Sequence, residues 1–440
     1  MSLSDVTRGG GPARVIKVDA LARVEGEGAL YVRVRNNEIR DLKFRIYEPP
    51  RFFEGLLRGR MYSDAPDITA RICGICPVAY IMGASHAMEA ALGVDVPRDI
   101  HEMRRLIYCG EWIQSHVLHA AMLHAPDFLG LQDALQIAAA NPDLVKAALR
   151  LKKLGNDLMA TIGGRAVHPV NTKVGGFYKA PSIEALRVLL PEVEWGLGAA
   201  ETLLDAFSGF DFPDYDYDYT CVSLGNTTAY PIMEGDIVVS GGEAIPLDGF
   251  MDRYEEFQVA HSTSLHARPK DGSGPYLVGP IARYNNNFDR LSTRARDAAR
   301  RAGLGPIVTN PFKSLLVRMV ETIHALEEVR RIIEGYRGLA APSAPVAVRA
   351  GTGCGCTEAP RGICFHRYEL GEDGRIAKAL IMPPTSQNQP QIERDLRGVV
   401  EKNLDMADED LKWLCEQTIR NYDPCISCSC HFLELTIERE

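Results

Sequence analysis

The chain has 440 residues, of which 46% are hydrophobic and 24% charged, and its net charge is −9. That composition supports a large globular core and excludes disordered, collagen-like and fibrous classes. The acidic balance argues against nucleic acid or anionic lipid as partners, since both select an excess of Lys and Arg. No apolar run reaches the ~18 residues of a membrane span.

Residues 1–14 are rich in Gly and Ser with no apolar stretch, so no secretory signal is expected and a cytoplasmic location is favoured. Alternating apolar positions in 14–18, 29–34 and 42–46 predict a three-stranded meander within 1–48, with turns near Gly26 and Asn36-Asn37. The spacing Ile100, Met103, Leu106, Ile107, Gly110, Ile113, Val117 predicts one amphipathic helix over 97–128. Further helices are predicted at 143–161, 182–208, 283–303 and 312–338, giving a helical bundle over 97–340. The Asp/Tyr run 211–219 and the Gly/Pro-rich stretch 272–280 are expected as surface excursions.

After Gly338 the composition shifts to Ala, Pro and Gly. A hairpin is predicted from runs 363–370 and 375–382 joined through Asp373-Gly374, within a β region at 350–385. Helices at 389–403 and 407–421 lead into the last motif, within 386–431. No βα alternation exists to build a doubly wound sheet, so the expected class is mainly α with small β elements (α+β), a single domain around a central helical bundle.

The 11 cysteines are an odd number spread over a long chain. Free or metal-bound thiols in a reducing compartment fit better than a disulfide scaffold. Two Cys-x-x-Cys pairs stand out, Cys73-Gly74-Ile75-Cys76 near the start and Cys425-Ile426-Ser427-Cys428 near the end. Each spacing lets two sulfurs face one ion, and thiolates select zinc, iron–sulfur clusters or other late transition metals over magnesium or calcium. Structural zinc with four cysteines is usually local, with pairs about 15–20 residues apart. These pairs sit at opposite ends of the chain, among groups that structural zinc does not need: Arg71, Asp423-Pro424 and His431. No complete Gly-x-Gly-x-x-Gly fingerprint is present, and Cys354, Cys356 and Cys364 make a poor cluster motif. Electrons must leave through another subunit.

Nearly end to end, the chain resembles the large, catalytic subunit of [NiFe] hydrogenases. The resemblance rests on Arg23-Val24-Glu25-Gly26, Phe53-Glu54-Gly55, Gly59-Arg60, Arg71-Ile72-Cys73-Gly74-Ile75-Cys76 and His116-x-x-His119. It continues through His168-Pro169, Gly175-Gly176, Glu358 to Gly362, Pro384-Thr385, Asn388 and Asp423-Pro424-Cys425-x-x-Cys428-x-x-His431. It implies that the four thiolates bind nickel, Cys73 and Cys425 terminally and Cys76 and Cys428 as bridges to an iron carrying carbon monoxide and two cyanides. Dihydrogen is then split heterolytically, with the proton passing from Cys425 to Glu25. Arg361 is implied over the open coordination position and beside a cyanide, Thr385 beside the second cyanide, and Asp423 close enough to tune the pair. Glu54, His431 and the backbone carbonyl of Ile381 are implied ligands of a magnesium ion, while His116 and His119 support the site.

Many relatives carry His four residues after the second cysteine of the first motif; here it is Tyr80. Residues 432–440 extend beyond His431, where a maturation endopeptidase cuts in this family, so they are a possible cleavable tail. The subgroup resembled most is the soluble NAD(P)-reducing one, which implies a small Fe–S subunit and Fe–S/flavin diaphorase subunits as partners. Alternatives are a hydrogenase using deazaflavin or a ferredoxin- or heterodisulfide-linked acceptor, a scaffold like the quinone-module subunit of complex I, and a zinc-stabilised structural protein. All four nickel cysteines are present, which speaks against the scaffold.

Overall fold

The computed structural model describes residues 14–430 apart from 243. Helix accounts for 49% and strand for 18% of the chain, and the sheets are small and antiparallel, with two or three strands each. This is the mainly α, α+β architecture expected. No described helix is long and apolar enough to cross a membrane.

The N-terminal meander forms from Arg14–Val18, Gly28–Arg35 and Glu38–Ile46. Asn36 and Asn37 both take positive φ, 54° and 56°, the tight hairpin turn that Asn tolerates. The central bundle is built from Arg98–Val117, Pro142–Gly163, Leu190–Ser208 and Ser314–Gly335. The first two cross backbone to backbone: a Cβ on Gly155 would lie 2.6 Å from the Gly110 carbonyl oxygen and 2.7 Å from the Gln114 nitrogen.

The predicted helix over 97–128 is interrupted. After Val117 the backbone widens into a π-helical stretch, Leu118–His124, before the short helix Ala125–Phe128. Such widening is rare and often functional, and here it carries the buried His119 and His124. The 182–208 prediction splits into Ile183–Arg187 and Leu190–Ser208, the second with Pro191 in its first turn, where proline's missing N–H costs nothing. The 283–303 prediction splits into Pro280–Asn287, a 3-10 turn Phe288–Arg290, and Thr293–Arg301 capped by the Ser292 hydroxyl. The C-terminal helices are Pro384–Lys402 and Asp408–Arg420.

Both supposed surface excursions are irregular yet partly buried: Tyr215, Tyr219, Tyr276, Leu277 and Val278 are each at most 6% exposed. Side chains satisfy the backbone there, as when Asn388 brackets Val278 by accepting from its N–H and donating to its carbonyl.

The hairpin Gly362–Leu370/Ile376–Met382 forms as predicted, but a third strand, Gly351–Ala359, pairs with it. That strand lies directly on the buried helix Pro77–Leu92. A Cβ on Gly353 would come 2.1 Å from the Ala87 carbonyl oxygen, and one on Gly355 2.4 Å from that of Gly83. Alternate positions of Gly-Thr-Gly-Cys-Gly therefore face the helix with no side chain between. This contact ends at the cysteine motifs.

Candidate metal centre

Cys73 lies in the turn before the helix Pro77–Leu92, and Cys76 is its N-cap with Pro77 next. The N–H groups of Ile75 and Cys76 both donate to the Cys73 sulfur at 3.3 Å. A helix N-terminus and backbone donors favour negative sulfur. The turn is held from behind by the helix Arg98–Val117. Its buried Glu111 accepts from the N–H groups of Val78 at 2.6 Å and Ala79 at 3.1 Å, and Gln114 donates to the Ile75 carbonyl at 2.6 Å. Burial pushes the Glu111 carboxyl well above its usual range.

The second motif approaches from the opposite chain end. Cys425 caps the short helix Ile426–Ser429 and forms a parallel bridge with Glu25, and the Ile426 N–H donates to the Glu25 carbonyl at 3.0 Å. Gly26, at φ 90°, makes the approach possible: a Cβ there would lie 2.6 Å from the Ile426 Cβ. The Glu25 carboxylate reaches Cys425 Sγ at 3.2 Å and accepts from the Ser427 N–H at 3.0 Å. Thr385 Oγ1 accepts from the Cys425 N–H at 3.1 Å.

The four sulfurs of Cys73, Cys76, Cys425 and Cys428 are buried and lie within 4.8 Å of one another. Cys425 Sγ is 2.9 Å from Cys428 Sγ and 3.3 Å from Cys73 Sγ, and Cys76 Sγ is 3.9 Å from Cys428 Sγ. All are free thiols. Hydrogen bonds from Cys425, Cys428 and Cys76 pull the Cys73 thiol down. Cys76 and Cys425 are pushed up chiefly by hydrogen bonding to neighbouring sulfurs, and Cys428 chiefly by burial. Four such thiols cannot all ionise beside one another without a cation, and a soft transition ion fits the donor set.

Arg361 stands beside this cage. Its Nε donates to the Asp423 carbonyl at 2.7 Å and its Nη2 to Asp423 Oδ1 at 3.2 Å, while Nη1 is buried with no hydrogen-bond partner. Burial opposes its charge, but Asp423 and the sulfurs of Cys425, Cys76 and Cys73 outweigh that and hold the guanidinium protonated. An orphaned donor at this spot fits a site made for a further acceptor. Asp423 sits at φ 52°, a costly conformation for a residue other than Gly, and burial raises its carboxyl.

Glu54 Oε1 accepts from the Ile381 N–H at 2.8 Å. His431 and the tail 432–440 lie outside the described residues. Tyr80 is buried against the site; burial and then the sulfurs of Cys428, Cys364 and Cys76 push its phenol well above its usual value. His116 Nε2 lies 3.0 Å from Glu321 Oε2, and His119 Nε2 2.7 Å from the Arg420 carbonyl. Neither belongs to the sulfur cage.

Several supports were not visible in the sequence. Arg51 donates to the carbonyls of Ile72 and Ser427, joining the two cysteine loops, and its own N–H donates to the Cys430 carbonyl at 2.8 Å. Arg283, stacked 4.5 Å over Trp112, pairs with Glu321 and Glu358 and donates to the Ala359 and Pro360 carbonyls, fixing the turn before Arg361. Asp127 pairs with Arg420 at 2.8 Å and lies 3.1 Å from His124, whose other nitrogen meets Asn421 at 2.9 Å, steadying the approach to Asp423. Glu111, Gln114, Arg51, Arg283 and Asp127 carry no local motif; only their charge or polarity within apolar surroundings hints at a role.

The sequence profile of the nickel-dependent hydrogenase family matches residues 51–148 and 281–431. Sulfhydrogenase 1 subunit alpha of Pyrococcus furiosus is 33% identical over 96% of this chain and 98% of its own length. The NAD-reducing hydrogenase HoxS subunit beta of Cupriavidus necator is 28% identical over 96% of this chain and 95% of its own. A solved NAD+-reducing [NiFe]-hydrogenase in the H2-reduced state superposes with TM-score 0.85 at 25% identity, covering 95% of this chain and 99% of that one. The chain belongs to the nickel-dependent hydrogenase family. Within it, the chain is a catalytic large subunit of the [NiFe] type.

Proposed function

We propose that this chain houses a nickel–iron centre, its iron carrying carbon monoxide and two cyanides, that Cys73, Cys76, Cys425 and Cys428 would hold, Cys76 and Cys428 serving both metals. When bound, that centre supplies the reversible heterolytic cleavage of dihydrogen. The carrying observation is the Glu25 carboxylate 3.2 Å from Cys425 Sγ, hydrogen-bond reach for a base that takes a proton from that sulfur. The Ser427 N–H holds the same carboxylate in place. Arg361, with one buried nitrogen unpartnered, would donate to one cyanide, and Thr385 would donate to the other while its oxygen keeps the Cys425 N–H. Asp423 holds the Arg361 fork. Glu54, the Ile381 carbonyl and His431 hold a magnesium ion, and the tail 432–440 is removed by a maturation endopeptidase.

Electrons leave through a small Fe–S subunit and then through Fe–S/flavin subunits to NAD(P), in the cytoplasm. The likeness to NAD-reducing hydrogenases in sequence and fold supports this acceptor. The test is metal analysis and infrared spectroscopy of the anaerobically purified complex, followed by hydrogen-dependent reduction of NAD+ and NADP+. Nickel with one carbonyl and two cyanide bands is the expected result. Zinc alone and a silent infrared window in matured protein overturns the centre, whereas reduction of viologen dyes without either nicotinamide overturns only the acceptor.

A further inference from the structure

One other set of metal-ligating side chains converges among the described residues, apart from the sulfur cage: His261, His266 and Glu393, with one donor atom from each within 4.8 Å of the others. The strands Tyr254–Phe257 and His266–Pro269 pair antiparallel, and the loop between them returns His261 beside His266, their rings 5.7 Å apart at 88°. Glu393 comes from the helix Pro384–Lys402. Its Oε1 lies 2.8 Å from His261 Nε2 and also accepts from the Phe44 N–H at 3.0 Å. His266 is 2% exposed and its Nε2 makes no hydrogen bond. A buried imidazole nitrogen left without a partner is a cost that a bound ion removes.

We propose that His261, His266 and Glu393 bind one divalent transition ion of the zinc class. Two imidazoles and one carboxylate are the borderline-soft set that zinc takes, and magnesium or calcium would demand oxygen throughout. His261 also lines a groove of about 900 Å³ together with Ser262, Thr263, Glu255 and Glu54, and water from that side completes the site. His261 and Glu393 are about one fifth exposed, which gives the ion a way in. The ion staples the hairpin carrying both histidines to the helix whose first turn carries Thr385. This site is independent of the reading of the sulfur cage and of the electron acceptor.

The test uses the intact complex, purified and exchanged into metal-free buffer. Mass-spectrometric metal analysis is expected to find zinc near one per chain in addition to nickel and iron. Zinc-edge X-ray absorption is expected to show nitrogen and oxygen neighbours at about 2.0–2.1 Å and no sulfur. The double variant H261A/H266A is expected to lose this zinc and keep its nickel. If it does not fold, His261→Gln, on the partly exposed side chain, is expected to weaken zinc retention against a chelator by at least about tenfold. Glu54→Ala is expected to keep the zinc. No zinc after incubation with excess Zn²⁺ and desalting, a sulfur shell, unchanged zinc in the histidine variants, or loss of zinc with Glu54→Ala each overturns the proposal.

Discussion

The two cysteine motifs have the same spacing and are held in different ways. The first is embedded: a buried helix follows it, and Glu111 and Gln114, one helical turn apart on the helix behind, fix its backbone. The second is held by residues from across the chain, Glu25, Arg51, Thr385 and the Arg361–Asp423 pair. One half of the cage is thus set mainly by the packing of two helices. The other depends on long-range closure, and Glu25, the proposed base, sits on that half.

The sharpest way to break this contrast is Cys425→Ser, which removes the sulfur nearest Glu25. Nickel in the purified complex is expected to fall to background, and a variant that keeps full nickel and hydrogen uptake would remove Cys425 from the centre. Glu25→Gln keeps the Ser427 contact and loses the base. Turnover should drop about 10²–10⁴-fold while nickel content and the infrared bands stay. Arg361→Lys keeps the charge and loses the fork that Asp423 grips, so a drop of about 10²–10³-fold is expected with metal retained.

Much of this was legible because the ligand pairs are local in sequence: spacing alone singled out Cys73, Cys76, Cys425 and Cys428, and family motifs carried Glu25, Arg361 and Asp423. The meander, the main helices and the hairpin at 362–382 followed from periodicity. The strand Gly351–Ala359 was hidden because its inward positions are glycines, which give no apolar alternation. The π-helical stretch was hidden because the apolar spacing that predicts the helix ends at Val117 and carries no signal of a change of pitch beyond it. Arg51, Glu111 and Arg283 escaped because their partners lie far away in sequence.

Smaller effects sharpen the contrast. Glu111→Gln turns an amide N–H₂ toward backbone donors in the first half only. It should cost about 1–3 kcal/mol in chemical denaturation while leaving the second motif's contacts intact; no change would mean the first turn holds itself. The mildest probe is acid. His86 and His324, which share a cavity away from the cysteines, are both pushed down by burial to about 4. The unfolded chain therefore binds more protons than the folded one between about pH 6.5 and 4. Their contribution is present in full above pH 6.5 and is lost as pH falls through 4. A melting-temperature series should show that slope, and His324→Gln should flatten it.

The direct seating of Gly351–Ala359 on Pro77–Leu92 makes the two elements behave as a caliper. Cys76 stands at the mouth of one jaw and Arg361 just beyond the tip of the other. The strand puts no side chain of its own between the jaws at Gly353 and Gly355, so the spacing of the two elements there is set by backbone thickness. Such a gauge leaves the strand no rotamer through which the setting can drift.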